Sequence, residues 1–285
     1  MNLQGIDQRK LFRNPLVIPW GRWGVRSIAI SYLVVMLLIP LAVILRDGFR
    51  ESASELWRQV TLPAAWEALK LTLWTAGVMT LINTIMGLIT AYVLVRFTFP
   101  GKALLNAVID LPLAIPTLVT GVMLVILYGP QSALGAWLKD HTGLSVIFAP
   151  PGIILALLFI TFPFAVRTVQ PVLAVMDRSQ EDAAATLGAG SWTTFWRIIL
   201  PPLILPVTSG ALLSFARAIG EFGAIVIVAG NIPFYSQTAA VYVLGEVESE
   251  NQLGASAVSI VMLAVAISLI FLVDWLQVRS KRESR

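Results

Sequence analysis

Six stretches of about twenty predominantly apolar residues recur along this chain, and no other feature limits its fold as much. A helix needs roughly 20 such residues to cross the hydrocarbon core of a bilayer. Hydrophobic residues make up 57% of the 285 residues and charged residues only 13%, which is more apolar surface than a soluble globule can bury. The sequence therefore predicts an all-α integral membrane protein with six transmembrane helices. The stretches are Ser27 to Leu45, Ala68 to Val95, Ala103 to Tyr128, Gly152 to Val172, Ile198 to Ile219 and Ala255 to Val278.

The positions of Lys and Arg predict the orientation in the membrane. Most of them lie before the first stretch, between the second and third, around the fourth-to-fifth connection and after the sixth. Short cytoplasmic loops retain such residues, so both termini are expected in the cytoplasm. This divides the chain into a cytoplasmic segment (1–26), a transmembrane domain (27–278) and a basic cytoplasmic tail (279–285). Phe222 to Gly254 contains acids but no Lys or Arg and is expected to form a long loop on the opposite side.

Composition also limits the chemistry. The chain has no Cys, which excludes disulfides and thiolate sites, and its one His, His141, stands alone in a polar connection. Neither a catalytic residue nor a metal site is predicted, because metal sites need converging ligands. Basic residues flank the apolar stretches instead of forming a patch, so membrane lipid is the expected surrounding and nucleic acid is not an expected partner.

Several stretches contain Pro and Gly, as in "DLPLAIPTLVTG" and "LPPLILP". Proline in a membrane helix removes a backbone hydrogen bond and is tolerated where neighbours or water satisfy the freed carbonyl. These positions are either ordinary kinks in packed helices or bends around a transport pathway. No internal repeat is evident that would indicate the inverted-repeat design of many secondary transporters.

One polar passage interrupts the hydrocarbon between the fourth and fifth stretches: "EDAAATLGAGSWTTFWRIILPP", from Glu181 to Pro202. Ser179 is expected to cap a short helix whose first turn carries acids, which suit the positive end of the helix dipole. Gly188 is placed to end that helix. The alanines between them would let another protein approach closely, and Trp192 and nearby aromatic residues would serve as anchors.

The spacing within this passage resembles the "EAA" motif of permease subunits of bacterial ABC importers. Asp182-Ala183-Ala184 is followed after three residues by Gly188 and after nine more by Ile198-x-Leu200-Pro201. The family has Glu where this chain has Asp182, although Glu181 stands next to it. The resemblance implies a type I ABC importer permease-like bundle with a cytoplasmic coupling helix, within a loop at about 177–197, that docks on an ATP-binding subunit. The docking residues that it implies are Glu181, Asp182, Ala183, Ala184 and Gly188.

No phosphate-binding G-x-x-x-x-G-K-[ST] loop occurs in the chain, because Gly101-Lys102 is followed by Ala103 and lacks the preceding glycine. Energy from ATP would have to arrive from another polypeptide. We therefore expect a chain that is not itself an enzyme and binds no cofactor, with ATP and Mg on the partner subunit.

Two charged residues, Arg217 and Glu221, lie within or at the end of the fifth stretch, spaced i,i+4. An unpaired charge in the bilayer costs at least about 2.5 to 3.5 kcal/mol, so the two are expected to pair. The pair either locks the end of the fifth helix or lines the translocation pathway or its gate. Asp110, in the third stretch, is a further pathway candidate and a possible partner for Arg217 or for a basic loop residue.

Three segments resemble the sulfate/thiosulfate permease branch of ABC importers, in particular its T-type group: "FARAIGEFGAIVIVAGNIPF", "FPFAVRTVQPVL" and "LPLAIPTLVTG". The resemblance implies alternating access in a bacterial inner membrane. It also implies three partners: a second homologous permease, two copies of an ATP-binding subunit and a periplasmic sulfate-binding protein. Molybdate permeases share the Arg-Ala-Ile-Gly-Glu-Phe-Gly segment, so a molybdate or tungstate permease remains an alternative. A third is an ion-gradient-driven secondary transporter with Glu221 and Asp110 as proton sites.

Overall fold

The computed structural model describes residues 19–283, and every regular element in that range is a helix. The chain divides into two compact units between Asp47 and Gly48. In the first unit, α1 (Pro19–Leu33) continues through a π-helical turn (Val34–Leu38) into α2 (Ile39–Gly48). Its residues 27–45 carry no charge and are apolar on all sides, which suits a helix surrounded by lipid.

The second unit is a helical bundle. Its elements are α3 (Ala53–Val60), α4 (Pro63–Arg96), α5 (Lys102–Ala114), α6 (Thr117–Tyr128), α7 (Ala133–Thr142), α8 (Pro150–Val175), α9 (Ser179–Thr186), α10 (Ser191–Thr194), a π-helical turn (Phe195–Ile199), α11 (Leu200–Ile219), α12 (Gly223–Val228), α13 (Ala239–Glu248) and α14 (Gln252–Glu283). Because α14 runs to Glu283, most of the predicted basic tail extends the last helix. Residues 1–18 of the predicted N-terminal segment lie outside the described residues.

Five of the six predicted spans are continuous helical segments long and apolar enough to cross a membrane. They run over Trp23–Gly48, Pro63–Arg96, Pro150–Val175, Ser191–Ile219 and Gln252–Leu276.

The third predicted span is broken into two helices. It consists of α5 and α6, and the chain bends by 110° between them. Ile115 between them has an extended backbone, with φ −83° and ψ 128°. Proline disfavours the helical conformation of the residue before it, so Pro116 ends α5 and lets a new helix start. The segment "DLPLAIPTLVTG", in which the sequence predicts a kink or bend, is the place where the span breaks.

Helices α4, α8 and α11 pack against one another at the centre of the second unit. Small residues bring their backbones close together: a Cβ added to Gly87 would lie 2.6 Å from the Ala165 Cβ, and one added to Gly210 would lie 2.2 Å from the Thr168 hydroxyl. Such contacts are typical of membrane helices, which associate through close packing rather than through the hydrophobic effect.

A buried polar contact joins α4 to α8. The side-chain amide of Asn83 donates to the Leu158 carbonyl at 3.0 Å and to the Thr161 hydroxyl oxygen at 2.9 Å. Asn83 and Thr161 are both buried. Hydrogen bonds of this kind fix the register of two helices, because a shift would leave polar groups unpaired in an apolar environment.

The segment from Phe222 to Gly254 is not the long loop that the sequence predicts. It contains α12 and α13, and both pack into the bundle. A Cβ at Gly121 of α6 would lie 2.8 Å from the Ala224 carbonyl of α12, and the first N–H of α13, at Ala239, donates to the Thr72 hydroxyl at 2.8 Å. The buried positions of the segment lie mostly in α12, in α13 and just before α13, where Lys and Arg would be unfavourable.

Gly87 and Gly77, both in α4, make a matched pair for testing the central packing. We expect Gly87→Ala to destabilise the protein by about 1 to 3 kcal/mol, because its methyl group would overlap Ala165. Gly77→Ala meets no atom within 4 Å and should be neutral or stabilising by about 0.5 to 1 kcal/mol, because alanine favours the helix. Thermal unfolding of the two variants in detergent measures the difference. Equal transition temperatures would contradict the packing described for α4 and α8.

Candidate functional site

The predicted short helix between the fourth and fifth spans is α9, and an acid outside it organises its start. The Asp177 carboxylate accepts hydrogen bonds from the Ser179 backbone N–H at 2.9 Å and from the Ser179 hydroxyl at 2.6 Å. These bonds hold the pKa of the Asp177 carboxyl below its usual range. The expectation that Ser179 caps the helix is wrong, because Ser179 is its first residue and Asp177 supplies the accepting oxygen.

The end of α9 follows the sequence-based expectation. Gly188 has φ +81°, a left-handed conformation that favours glycine. Its N–H donates to the Ala185 carbonyl at 3.0 Å, and the next N–H, at Ala189, donates to Ala184 at 2.9 Å. This pair of bonds is a Schellman motif, which satisfies the last carbonyls of a helix and reverses the chain. The helix is therefore defined at both ends by its own residues.

One face of α9 is available to another molecule. Asp182, Ala183 and Gly188 are exposed, whereas Ala184 is buried against the bundle. Leu187, which follows the helix, is 88% exposed, and Trp192 is 74% exposed. The exposed Leu187 and Trp192 are the kinds of residue that form the apolar centre of a protein interface, and the small residues of α9 allow close approach. Docking on this face stays a prediction.

Glu181 differs from the other predicted docking residues, because its side chain is turned towards its own bundle. It forms an ion pair with Arg96, the last residue of α4. The Arg96 side chain is only 7% exposed. Asp182, the neighbour of Glu181, is exposed. The two consecutive acids thus face different surroundings, which the sequence does not reveal.

Arg217 and Glu221 form the expected pair at the end of α11. Nη2 of Arg217 lies 2.7 Å from Oε2 of Glu221. The Glu221 side chain is 1% exposed, whereas the Arg217 side chain is 35% exposed. The other carboxylate oxygen of Glu221 accepts from the Ala224 N–H of α12 at 3.0 Å. The pair therefore connects the end of α11, the turn after it and the start of α12, and it leaves about a third of the Arg217 side chain accessible.

Asp110 pairs with Arg167 of α8 and not with Arg217. The guanidinium donates to both carboxylate oxygens, from Nε at 2.8 Å and from Nη2 at 2.6 Å. Its Nη1 donates to the Asn106 side-chain oxygen at 3.0 Å and also to Gln170. This network connects α5 to α8. Arg167 lies within the predicted fourth span, Gly152 to Val172, and in α8, but its pairing with Asp110 is not among the sequence-based expectations.

Four residues of these sites are not among the sequence-based candidates: Arg96, Asn106, Arg167 and Asp177. Arg96 was read only as an indicator of membrane orientation, although its place at the end of an apolar helix is a signal for a buried cation with a partner nearby. Asn106 lies four residues before Asp110, a spacing that puts both on one helical face. Neither spacing identifies Arg167 or Glu181 as the partner, because both lie far away in the sequence.

The described residues contain no group of three His, Cys, Asp or Glu side chains placed to hold a metal ion. The charged residues of the sites instead form separate pairs, each of one basic and one acidic side chain. Such pairs can dock a protein, hold helices together or exchange an internal partner for a passing ion.

Comparison with known proteins agrees with this architecture. The family described as "Binding-protein-dependent transport system inner membrane component" matches residues 83–283. A probable sulfate transport system permease protein cysT of Nephroselmis olivacea is 40% identical, covering 90% of each chain. The sulfate transport system permease protein CysT of Synechocystis is 37% identical, covering 95% of this chain and 92% of its own. The CysT protein of Escherichia coli is 36% identical, covering 89% and 91%.

Solved structures show the same fold at low sequence identity. A chain of a bacterial alginate ABC transporter, in complex with its alginate-bound periplasmic protein, superposes with a TM-score of 0.76. The two chains are 15% identical, and the match covers 91% of this chain and 94% of the other. A second alginate importer structure gives a TM-score of 0.74 at 14% identity. The match to residues 83–283 covers more than half of the chain, and the relatives span nearly all of it. The chain therefore belongs to the family of binding-protein-dependent transport system inner membrane components.

Proposed function

We propose that this chain is the membrane permease subunit of an ATP-driven importer for sulfate or thiosulfate. The observation that carries the proposal is the identity of 36 to 40% to three proteins named as sulfate transport system permeases, over about nine-tenths of the chain or more. The chain would move its substrate without making or breaking bonds. ATP and Mg would be bound by a separate subunit.

The proposed complex contains two ATP-binding subunits, a second homologous permease and a periplasmic sulfate-binding protein. The exposed face of α9 supports the first of these partners. Asp182, Ala183 and Gly188 form a surface without bulky side chains, and Leu187 projects beside it with almost no contact to its own chain. Apolar side chains exposed to this extent in a short polar segment point to a protein interface.

The proposed orientation places the α9 end of the bundle, and both termini, in the cytoplasm of a bacterial inner-membrane protein. Arg96, Lys102, Arg178 and Arg197 all lie near that end, between or beside the long helices. The opposite end carries Arg50, Arg58, Lys70 and Lys139, of which Arg58 and Lys70 pair with an acid one turn away. Short cytoplasmic loops retain Lys and Arg, and the connections between α4 and α5 and between α8 and α11 carry them at the α9 end, which supports this orientation.

The two partly exposed arginines are the proposed contacts for an anion in transit. Arg217 and Arg167 each keep about a third of the side chain accessible while paired with a carboxylate. A dianion losing its hydration needs charged or N–H donors, and a guanidinium supplies several in a fixed geometry.

An apolar cavity on the bundle gives a reason to look for the anion at the arginines and not inside that cavity. It has a volume of about 620 Å³ and lies among α4, α5, α6 and α8. Its lining is almost wholly apolar, with Asn83 and Thr120 among the few polar residues. Such a lining would leave a sulfate ion unpaired at high cost, so the ion is expected to pass elsewhere.

Transport assays in a strain that lacks its own sulfate permeases test the function. Cells that make this chain with the ATP-binding subunit, the second permease and the binding protein should take up labelled sulfate. Uptake should persist when a protonophore removes the proton gradient and cease when the ATP-binding subunit is omitted. Uptake by this chain alone that depends on the gradient would instead show a secondary transporter. Stronger inhibition by molybdate than by thiosulfate would indicate the molybdate alternative.

Variants of Arg217 and Glu221 test their role in the pathway. Either Arg217→Ala or Glu221→Ala should destabilise the fold by about 3 kcal/mol, because each leaves a largely buried charge without its partner, and the partial exposure of Arg217 keeps the loss at the low end of the usual range. The double variant should regain stability and membrane expression. If the guanidinium contacts the anion, sulfate uptake by the double variant should stay at least about tenfold below wild type. Wild-type uptake by a stably folded double variant would show that the pair is only structural.

A further inference from the structure

Two consecutive acids of α9 have opposite surroundings. Glu181 pairs with Arg96 at the end of α4, and Asp182 is exposed. Ala184, three residues after Glu181, is buried, and α9 packs against α10 and the π-helical turn at Phe195–Ile199. Residues three apart lie on the same helical face, so Glu181 and Ala184 together form the inner face of α9.

Arg96 depends on Glu181 for its charge balance. The Arg96 side chain is only 7% exposed, and Glu181 is the acid with which it pairs. The Nε atom of Arg96 is buried and, within residues 19–283, makes no hydrogen bond. Moving α9 away from α4 would therefore leave a buried guanidinium without a counter-charge, which strongly opposes such a movement.

A second contact joins the same two elements. Arg178, directly before α9, donates from Nη2 to the Val95 carbonyl at 3.5 Å. This carbonyl belongs to the last turn of α4, where the helix dipole is negative and basic side chains are favoured. Because this hydrogen bond is long and exposed, it contributes little to the stability of the contact between α9 and α4.

Beyond Arg96, α4 continues into the centre of the bundle. Asn83 connects it to α8 by hydrogen bonds, and Gly87 packs against Ala165. A displacement of α9 that moves the end of α4 must therefore act on α8 as well. The buried ion pair is the charged contact between the proposed docking helix and the longest helix of the bundle.

We infer that Arg96 and Glu181 are positioning residues that make α9 move as one body with α4 during transport. Glu181 is thereby removed from the docking surface, and Asp182 is the acid that faces the ATP-binding subunit. The inference rests on the proposed function, because it takes α9 to be the docking helix. Its consequence is that the loss of the pair separates ATP hydrolysis from transport while docking persists.

The test uses the complete transporter in proteoliposomes and the ratio of sulfate imported to ATP hydrolysed. In Glu181→Gln, the ATP-binding subunit should still co-purify, and the ratio should fall at least about tenfold because the uncompensated guanidinium no longer holds α9. Arg96→Met combined with Glu181→Gln removes both charges, so the thermal transition should return to that of wild type. The transport ratio of this double variant should nevertheless stay low, because the neutral pair no longer holds α9 to α4.

The double variant separates a positioning role from a structural one. A wild-type ratio in the double variant would overturn the inference, because folding alone would then account for the pair. A wild-type ratio in Glu181→Gln would overturn it as well.

Two control variants on the exposed side of α9 monitor docking independently. Leu187→Asp and Asp182→Asn leave the ion pair untouched and should reduce co-purification of the ATP-binding subunit. Normal co-purification in both controls would count against α9 as the docking surface, and therefore against the proposed function. That outcome differs from a failure of the ion-pair inference, in which the control variants reduce co-purification as expected while the ion-pair variants keep the wild-type transport ratio.

Discussion

An arginine in or beside hydrocarbon needs an anion close to it, and this requirement determines much of how the bundle is assembled. A charge at the centre of a bilayer costs about 2.5 to 3.5 kcal/mol on insertion scales, so charged residues in spans pair or face water. Arg96, Arg167 and Arg217 meet this requirement with Glu181, Asp110 and Glu221. Two of these pairs connect different helices, and the third connects α11 to the turn that begins α12. The charged pairs therefore hold together the parts that a transport cycle would have to move.

The backbone follows the same rule in the broken third span. Between α5 and α6 the chain leaves the helical conformation at Ile115, and the two helices on either side pack against α8 and α12. Irregular backbone at membrane depth is tolerated only when protein or water satisfies its polar groups. The short helix α12 lies against α6, where Gly121 allows the Ala224 backbone to approach. A bent span and a short buried helix thus support each other, and neither would be stable alone in lipid.

The sequence predicts the elements that neighbouring residues determine and misses those that depend on contacts with residues far away in the chain. Apolar runs predict the six spans, five of which are continuous helices, because a span depends on neighbouring residues. Gly188 predicts the end of α9 for the same reason. The burial of α12 and α13 depends on helices that lie far away in the chain, so a segment without Lys or Arg was read as a loop. The partners of Arg96 and Asp110 are likewise distant, at Glu181 and Arg167. The i,i+4 pair of Arg217 and Glu221 was predictable because one helical turn joins them.

The central claim is that the α9 end of the bundle faces the cytoplasm and is covered there by an ATP-binding subunit. The chain has no native cysteine, so single cysteines report directly on access. Leu187 is the most exposed position for a labelled cysteine at this end. Ser249, exposed directly after α13, is the matched position at the other end, whereas Ser236 is buried and unsuitable for labelling. In inside-out vesicles, a membrane-impermeant maleimide should label Leu187→Cys, and added ATP-binding subunit should protect it, whereas Ser249→Cys should react only in right-side-out vesicles. Labelling of Leu187→Cys from the outside, or labelling that the subunit leaves unchanged, would contradict the account.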